Sequence, residues 1–281
     1  MELYDLHTHS EMSDGTLTPT ELIQLAKEKG LTALALTDHD ATTGCIEAAA
    51  EAEKLGIHFI PGVEISAAEF HELHILGLGI DITSKGLKEE LEKCAKSRVE
   101  RVYKICEVLK GMDIVIDPDK IVRSVKGSVG KPHIAIEIAN MGYAKDKDDA
   151  YNKYLELHEV KAVNKYKISY KTATKLIHEA GGKVILAHPH KIALEGISLE
   201  EFIRGFEGLD GIEAFYSEHS PEQTKVLLEY AEKYDLLISC GSDFHGANKK
   251  HIQLGTGEES SLVKLREQFS VDDNRLIVGV L

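Results

Sequence analysis

The chain has 281 residues, 43% of them hydrophobic, which is enough for a large packed core in two average domains or one α/β barrel with an insertion. Its formal charge of -14 argues against a nonspecific grip on duplex DNA, although bound divalent cations would reverse the local field for a small phosphorylated ligand. No apolar run reaches membrane-spanning length, and Cys45, Cys94, Cys106 and Cys240 fit neither zinc-finger nor disulfide-framework spacing, so reduced thiols in a cytoplasmic protein are expected.

The N-terminus reaches a polar, histidine-bearing segment by residue 7 without a basic-then-apolar leader, so no signal peptide is expected. Leu3–Leu6 reads as a strand. Thr18 followed by Pro19 opens a helix that Gly30 ends, and Leu31–Leu36 is a second strand. Thr43 is the expected cap of an alanine-rich helix through Glu47–Lys54, closed by Gly56. Ile57–Ile60 and His74–Leu78 follow as strands. This βαβα rhythm calls for a parallel sheet with helical crossovers.

Between about Lys85 and Lys167 the rhythm breaks into charged helices near Leu87–Leu109, His133–Met141 and Asp148–His158. The expectation is a barrel domain of residues 1–85 and 168–281 carrying an inserted helical cap, residues 86–167. From Ser169 the pattern resumes with a helix to Ala180, strands Lys183–Ala187 and Gly211–Phe215, helix Pro221–Tyr234, strand Leu236–Ser239 and a closing strand Leu276–Val280. With no Trp and a charged insertion, nothing marks an oligomer interface, and a monomer is expected.

Polar residues able to hold divalent metals recur at the strand ends. His7 and His9 share one strand face, with Asp14 in the turn that follows. Asp38-His39-Asp40 ends the second strand, and Glu64, His74, His188 and the pair Asp243 and His245 complete the series. Taken singly, each is equally an ordinary surface, capping or core residue. Together, imidazoles and carboxylates crowded at strand ends are costly unless cations bind them, and that rim is where an α/β barrel builds its chemistry.

The segments DLHTHSEMSDGTLTP, LALTDHDATTG, IPGVEISA, HILGLGID, GGKVILAHP and GSDFHG, in this order, resemble the PHP (polymerase and histidinol phosphatase) family of metal-dependent phosphoesterases. The similarity spans nearly the whole chain and is greatest to bacterial enzymes acting on nucleotides and short RNA. It implies a distorted (β/α)7 TIM-like barrel with three divalent metal ions at its C-terminal rim. One would be held by His7, His9, Glu64 and Asp243, a second by Glu64, His74 and His188, and a third by Asp14, His39 and His245. The nitrogen and oxygen donor set suits Mn²⁺, Fe²⁺ or Zn²⁺. Asp40 would orient a ligand histidine or cap the next helix, and Asp5 has the same two readings.

The resemblance further implies phosphate-ester hydrolysis by metal-activated hydroxide, with Asp14, Glu64 and His219 as catalytic residues. Lys131 and His133 stand where the family has an Arg-Pro-His motif on the insertion, and His219 matches a substrate-facing histidine. His133 or His219 would donate a proton to the leaving oxygen. His190 replaces a usual glycine, and Lys161, Lys165, Lys167, Lys249 and Lys250 read as solvated rim charges. The expected substrate is a nucleoside 3',5'-bisphosphate or short 5'-phosphorylated RNA. The alternative readings are a histidinol-phosphate phosphatase, an amidohydrolase, for which Glu64 stands where a carbamylated lysine belongs, and a catalytically dead partner-binding module.

Overall fold

The computed structural model describes residues 3–255, so the expected strand at 276–280 lies outside the described residues. Seven strands form one sheet in chain order: β1 (Tyr4–Asp5), β2 (Ala33–Leu36), β3 (His58–Ser66), β4 (His74–Leu78), β5 (Lys183–Leu186), β6 (Gly211–Tyr216) and β7 (Leu237–Gly241). Leu6 N donates to Cys240 O at 3.0 Å and His9 N to Phe244 O at 2.9 Å, which brings the last strand back to the first and rounds the sheet into a barrel. Strands such as β2, Ala-Leu-Ala-Leu, are buried at every position, as a strand covered on both faces must be.

The outer helices are specified locally. In α1 (Pro19–Glu28), Thr18 and Glu21 form a capping box, with Glu21 Oε2 accepting from Thr18 N at 2.8 Å, and Pro19 takes the first turn. Helix α2 (Cys45–Leu55) corrects one expectation: its N-cap is Gly44, with no side-chain cap from Thr43. The chain passes so close to β2 here that a Cβ on Gly44 would lie 2.9 Å from Leu36 Cδ2.

The sheet is not all parallel. β4 runs antiparallel to both β3 and β5, while the remaining neighbours are parallel. Only residues 67–73 separate β3 from β4. A parallel return needs a crossover of about a dozen residues or more, so this short link forces a reversal. His74 therefore begins its strand at the rim where its neighbours finish theirs.

From the opposite end the chain climbs again as α3 (Lys85–Lys110). Leu87, Leu91 and Cys94 of α3 pack into the barrel core, whereas Val102, Ile105, Cys106 and Leu109 belong to a second hydrophobic cluster. That second cluster is completed by α4 (Pro118–Ser124), α5 (Lys131–Asn140) and the residues beyond them, up to Val160. The helix expected at Asp148–His158 is instead broken into α6 (Lys147–Ala150), a π-helical turn Tyr151–Leu155 and α7 (His158–Lys161). The chain returns through α8 (Tyr170–Glu179), α9 (Leu199–Gly205) and α10 (Pro221–Lys233). No helix among the described residues is long and apolar enough to cross a membrane.

Candidate metal centre

Glu64 lies at the middle of the rim, fully buried in the second half of β3. Its Oε1 lies 2.8 Å from His74 Nδ1, 3.1 Å from His188 Nε2 and 3.4 Å from His7 Nε2. Its Oε2 lies 2.8 Å from His39 Nδ1 and 3.3 Å from His9 Nε2. Asp243 Oδ1 lies 3.3 Å from His9 Nε2 and 3.6 Å from His7 Nε2, and Asp14 Oδ1 lies 3.2 Å from His245 Nε2. The histidine rings stack on one another, His9 against His245 with centroids 4.0 Å apart.

Burial opposes charge on His7, His9, Asp14, His39, Glu64 and Asp243, and neighbours decide the outcome. The His39 imidazole, despite its burial, is raised to about 9 by the Glu64 and Asp14 carboxylates. His7 is also raised, with Glu213, Glu64 and Asp243 overcoming its desolvation. His9 falls to about 4 because burial and the His245 ring disfavour its charged form. Asp14, Glu64 and Asp243 are all held well below the usual carboxylate range, against their burial, by the surrounding cationic groups.

Of the Glu64 side-chain contacts, only His188 Nε2 with Oε1 is aligned as a hydrogen bond. His7 Nε2, His9 Nε2, Asp14 Oδ1, His39 Nδ1, Glu64 Oε2 and His188 Nδ1 are buried without an aligned partner. Buried polar atoms are otherwise almost always paired, so inward-facing donors left open are a feature that cations would satisfy. Four sets have donor atoms within 4.8 Å of one another: His9, Asp14, His39 and His245; His7, His9 and Asp243; His7, Glu64 and His188; His39, Glu64 and His74. All nine residues expected to hold metal are thus brought together, although His39 and His74 share a set that the resemblance divides between two ions.

The backbone at this rim is strained. Asp40 (φ 50°), His188 (φ 29°) and Asp243 (φ 58°) occupy left-handed conformations that non-glycine residues adopt only where their surroundings hold them.

Several residues have other places than expected. Asp40 touches no ligand histidine and caps no helix. Its Oδ2 accepts from Arg98 Nε at 2.9 Å and from Lys165 Nζ at 2.8 Å, and its Oδ1 accepts from Ser66 N at 3.0 Å. Asp5 braces the last strand end, accepting from Ser242 N at 2.9 Å and Gly255 N at 2.8 Å. Lys165 and Lys249 are not free rim charges: the first is buried on Asp40 and the second, partly exposed, lies 2.6 Å from Asp243 Oδ2.

Glu213 was not anticipated. Fully buried in β6, it lies with Oε1 3.0 Å from His7 Nδ1, and its Oε2 accepts from His188 N at 2.7 Å. This turns His7 Nε2 toward the cluster, the usual work of a carboxylate behind a ligating imidazole. Gly241 makes the approach possible, since a Cβ there would collide with His7 Cβ and with Glu213 Oε1. A glutamate inside the apolar run Gly-Ile-Glu-Ala-Phe was the available signal.

The centre opens into a cavity of ≈ 690 Å³ also lined by Arg98, Arg101, Lys131, Lys161, Lys165 and Lys167, of which Arg98 and Lys165 hold Asp40 and Lys161 pairs with Glu156. Burial and the adjacent Arg101 lower Lys131, and burial and Arg98 bring Lys165 down to about 8, the signature of cations crowded together. Lys131 Nζ donates to Leu155 O at 2.9 Å, and His133 Nδ1 accepts from Gly130 N at 3.0 Å. Neither His133 nor His219 is among the residues lining the cavity. His219 Nδ1 lies 3.2 Å from Ala214 O, and its ring packs edge-on against His190, centroids 5.3 Å apart.

The chain is similar in sequence and in fold to several known proteins. Over 260 residues the chain is 35% identical to a 3',5'-nucleoside bisphosphate phosphatase of Chromobacterium violaceum, covering 91% of each chain. It is also 35% identical over 249 residues to the 5'-3' exoribonuclease Rnm of Escherichia coli, covering 86% of this chain and 85% of the relative. A crystal structure from Chromobacterium violaceum, described as an amidohydrolase with bound sulfate, superposes with a TM-score of 0.81 at 35% identity, covering 90% of this chain and 89% of the other. One from Bifidobacterium adolescentis, described as a candidate metal-dependent phosphoesterase, gives a TM-score of 0.80 at 29% identity, covering 97% and 98%. The PHP domain model matches residues 5–267, and the chain belongs to the PHP domain family.

Proposed function

We propose that the protein is a metal-dependent hydrolase of nucleotide phosphate esters, acting on nucleoside 3',5'-bisphosphates or short 5'-phosphorylated RNA with three divalent ions, manganese first among them. The observation that carries this reading is the set of buried, unpaired polar atoms clustered around Glu64, in a cavity that Arg101 and Lys131 also line. Ions held there would supply Lewis acidity, polarising phosphoryl oxygens and bringing a water's pKa toward about 7. The family membership and the activities named for the two similar relatives support the substrate class.

The chain's own residues then divide the work. His7, His9, His39, Glu64, His74, His188, Asp14, Asp243 and His245 hold the ions, and Arg101, Lys131 and Lys161 meet a second phosphate away from the reacting one. Of the two histidines considered for protonating the leaving oxygen, His219 is poorly suited. Burial lowers it to about 4, so at neutral pH it holds one ring proton, which the Nδ1 contact with Ala214 O keeps off Nε2. His133 is also lowered by burial and accepts at Nδ1 from Gly130 N, so its neutral ring offers Nε2–H as a hydrogen-bond donor to the leaving oxygen and is not a charged acid. A cytoplasmic setting fits the four cysteines, all of them buried.

The test is phosphate release from a nucleoside 3',5'-bisphosphate, a 5'-phosphorylated RNA oligomer and histidinol phosphate, each with Mn²⁺, Fe²⁺ and Zn²⁺, alongside metal analysis of the purified protein. Turnover of the first two over the third is expected. Preference for histidinol phosphate would replace the substrate class, and a protein that takes up no metal would end the reading.

A further inference from the structure

Asp243 divides its two oxygens between different company. Oδ1 faces the imidazoles, 3.3 Å from His9 Nε2 and 3.3 Å from His245 Nδ1. Oδ2 accepts from Lys249 Nζ at 2.6 Å and from the Tyr216 hydroxyl at 2.9 Å. Tyr216 ends β6, and Lys249 ends the short 3₁₀ turn Gly246–Lys249, so two separate elements grip the carboxylate from its outer side.

Of these two donors, Lys249 is the one with no rival claim in view. The Tyr216 hydroxyl also reaches Glu218 Oε2 at 2.8 Å, and with one proton it serves one carboxylate at a time. Glu218 has other partners of its own in Lys191 and His251. The Lys249 ammonium therefore answers the charge on Asp243 Oδ2. The left-handed backbone at Asp243, φ 58°, leaves the side chain's direction to such partners.

We propose that Lys249 is a positioning residue that holds Asp243 as a one-oxygen donor, with Oδ1 presented to the His7 and His9 side. This rests on the metal-binding reading above. Without the ammonium, the carboxylate is free to turn and to offer both oxygens or neither. Partners behind a metal ligand are typically worth about 10–100-fold in metal affinity. A purely electrostatic role predicts the opposite sign, because removing a positive charge beside a cation site tightens binding.

The test is calorimetric titration of the metal-free, full-length protein with Mn²⁺ alone, comparing wild type, Lys249→Met, Lys249→Arg and Tyr216→Phe. The expected result is a Mn²⁺ dissociation constant raised about tenfold or more in Lys249→Met. Lys249→Arg should recover most of the loss, and Tyr216→Phe should show a smaller one. Unchanged or tighter Mn²⁺ binding by folded Lys249→Met overturns the proposal, as does a Lys249→Arg protein no better than the methionine variant. If Lys249→Met does not fold, Lys249→Gln decides: weakened Mn²⁺ binding supports the clamp and unchanged or tighter binding overturns it. A wild-type protein that binds none of Mn²⁺, Fe²⁺ and Zn²⁺ defeats the functional reading itself, and this inference with it, which separates the two failures.

Discussion

Glu213 Oε1 lies 3.0 Å from His7 Nδ1, with both side chains fully shielded from solvent. The contact fixes which ring nitrogen faces the centre and makes that nitrogen a better donor. Glu213→Gln keeps the shape and removes the charge. We expect it to weaken Mn²⁺ binding by about 10–100-fold, read by calorimetry, with little change in the unfolding midpoint of the metal-free protein. Binding equal to wild type would reduce Glu213 to a packing residue.

Asp14 reaches the centre from the turn after β1 and meets His245 at 3.2 Å and His39 at 3.9 Å. Asp14→Ala should lose one metal equivalent per chain by elemental analysis and lose turnover by about 100-fold or more, since even partners behind a ligand cost 10–100-fold. Circular dichroism should be unchanged. Full activity in this variant would remove that ion from the reaction.

The clasp of Asp40 with Arg98 and Lys165 is buried, with side-chain exposures of 1%, 10% and 7%. Removing one member of such a set leaves uncompensated charge, so Asp40→Asn should cost about 3–5 kcal/mol in urea unfolding. A loss below about 1 kcal/mol, the scale of exposed pairs, would show that the cations find water instead.

Metal uptake should depend on pH with a definite sign. In the metal-free protein His39 is raised to about 9 against its burial by Glu64 and Asp14, so near neutral pH a proton occupies a ligand position. His9, lowered to about 4 by burial and His245, offers no proton to displace. Mn²⁺ affinity should therefore climb as pH rises from 7 toward 9, by about tenfold per unit for each proton released. Titrations in buffers of different ionisation enthalpy count those protons, and a flat profile would refute the assignment.

Much of the centre was legible because its residues break a local rule: an apolar strand such as Leu34–Leu36 runs straight into Asp38-His39-Asp40. The seven barrel strands within the described residues could be read for the same reason, from runs too short and too apolar for helices. The direction of β4 was not read, because orientation depends on the length of the link before it and the eye follows the βα rhythm. Glu213 was hidden by the opposite effect, one charge inside a segment that otherwise reads as core. The partners of Asp40 come 58 and 125 residues later, and no periodicity connects positions so far apart.

The reversed strand leaves α3 as a rod of 26 residues, about 39 Å long, anchored in the barrel at one end and in the second cluster at the other. Such a rod acts as a gauge with no slack. Deleting one residue between Leu91 and Arg98 would turn everything beyond it by about 100° and draw it in by about 1.5 Å, carrying the guanidinium off Asp40. Length variation in this family member should therefore be tolerated in the loops flanking α3 and not inside it.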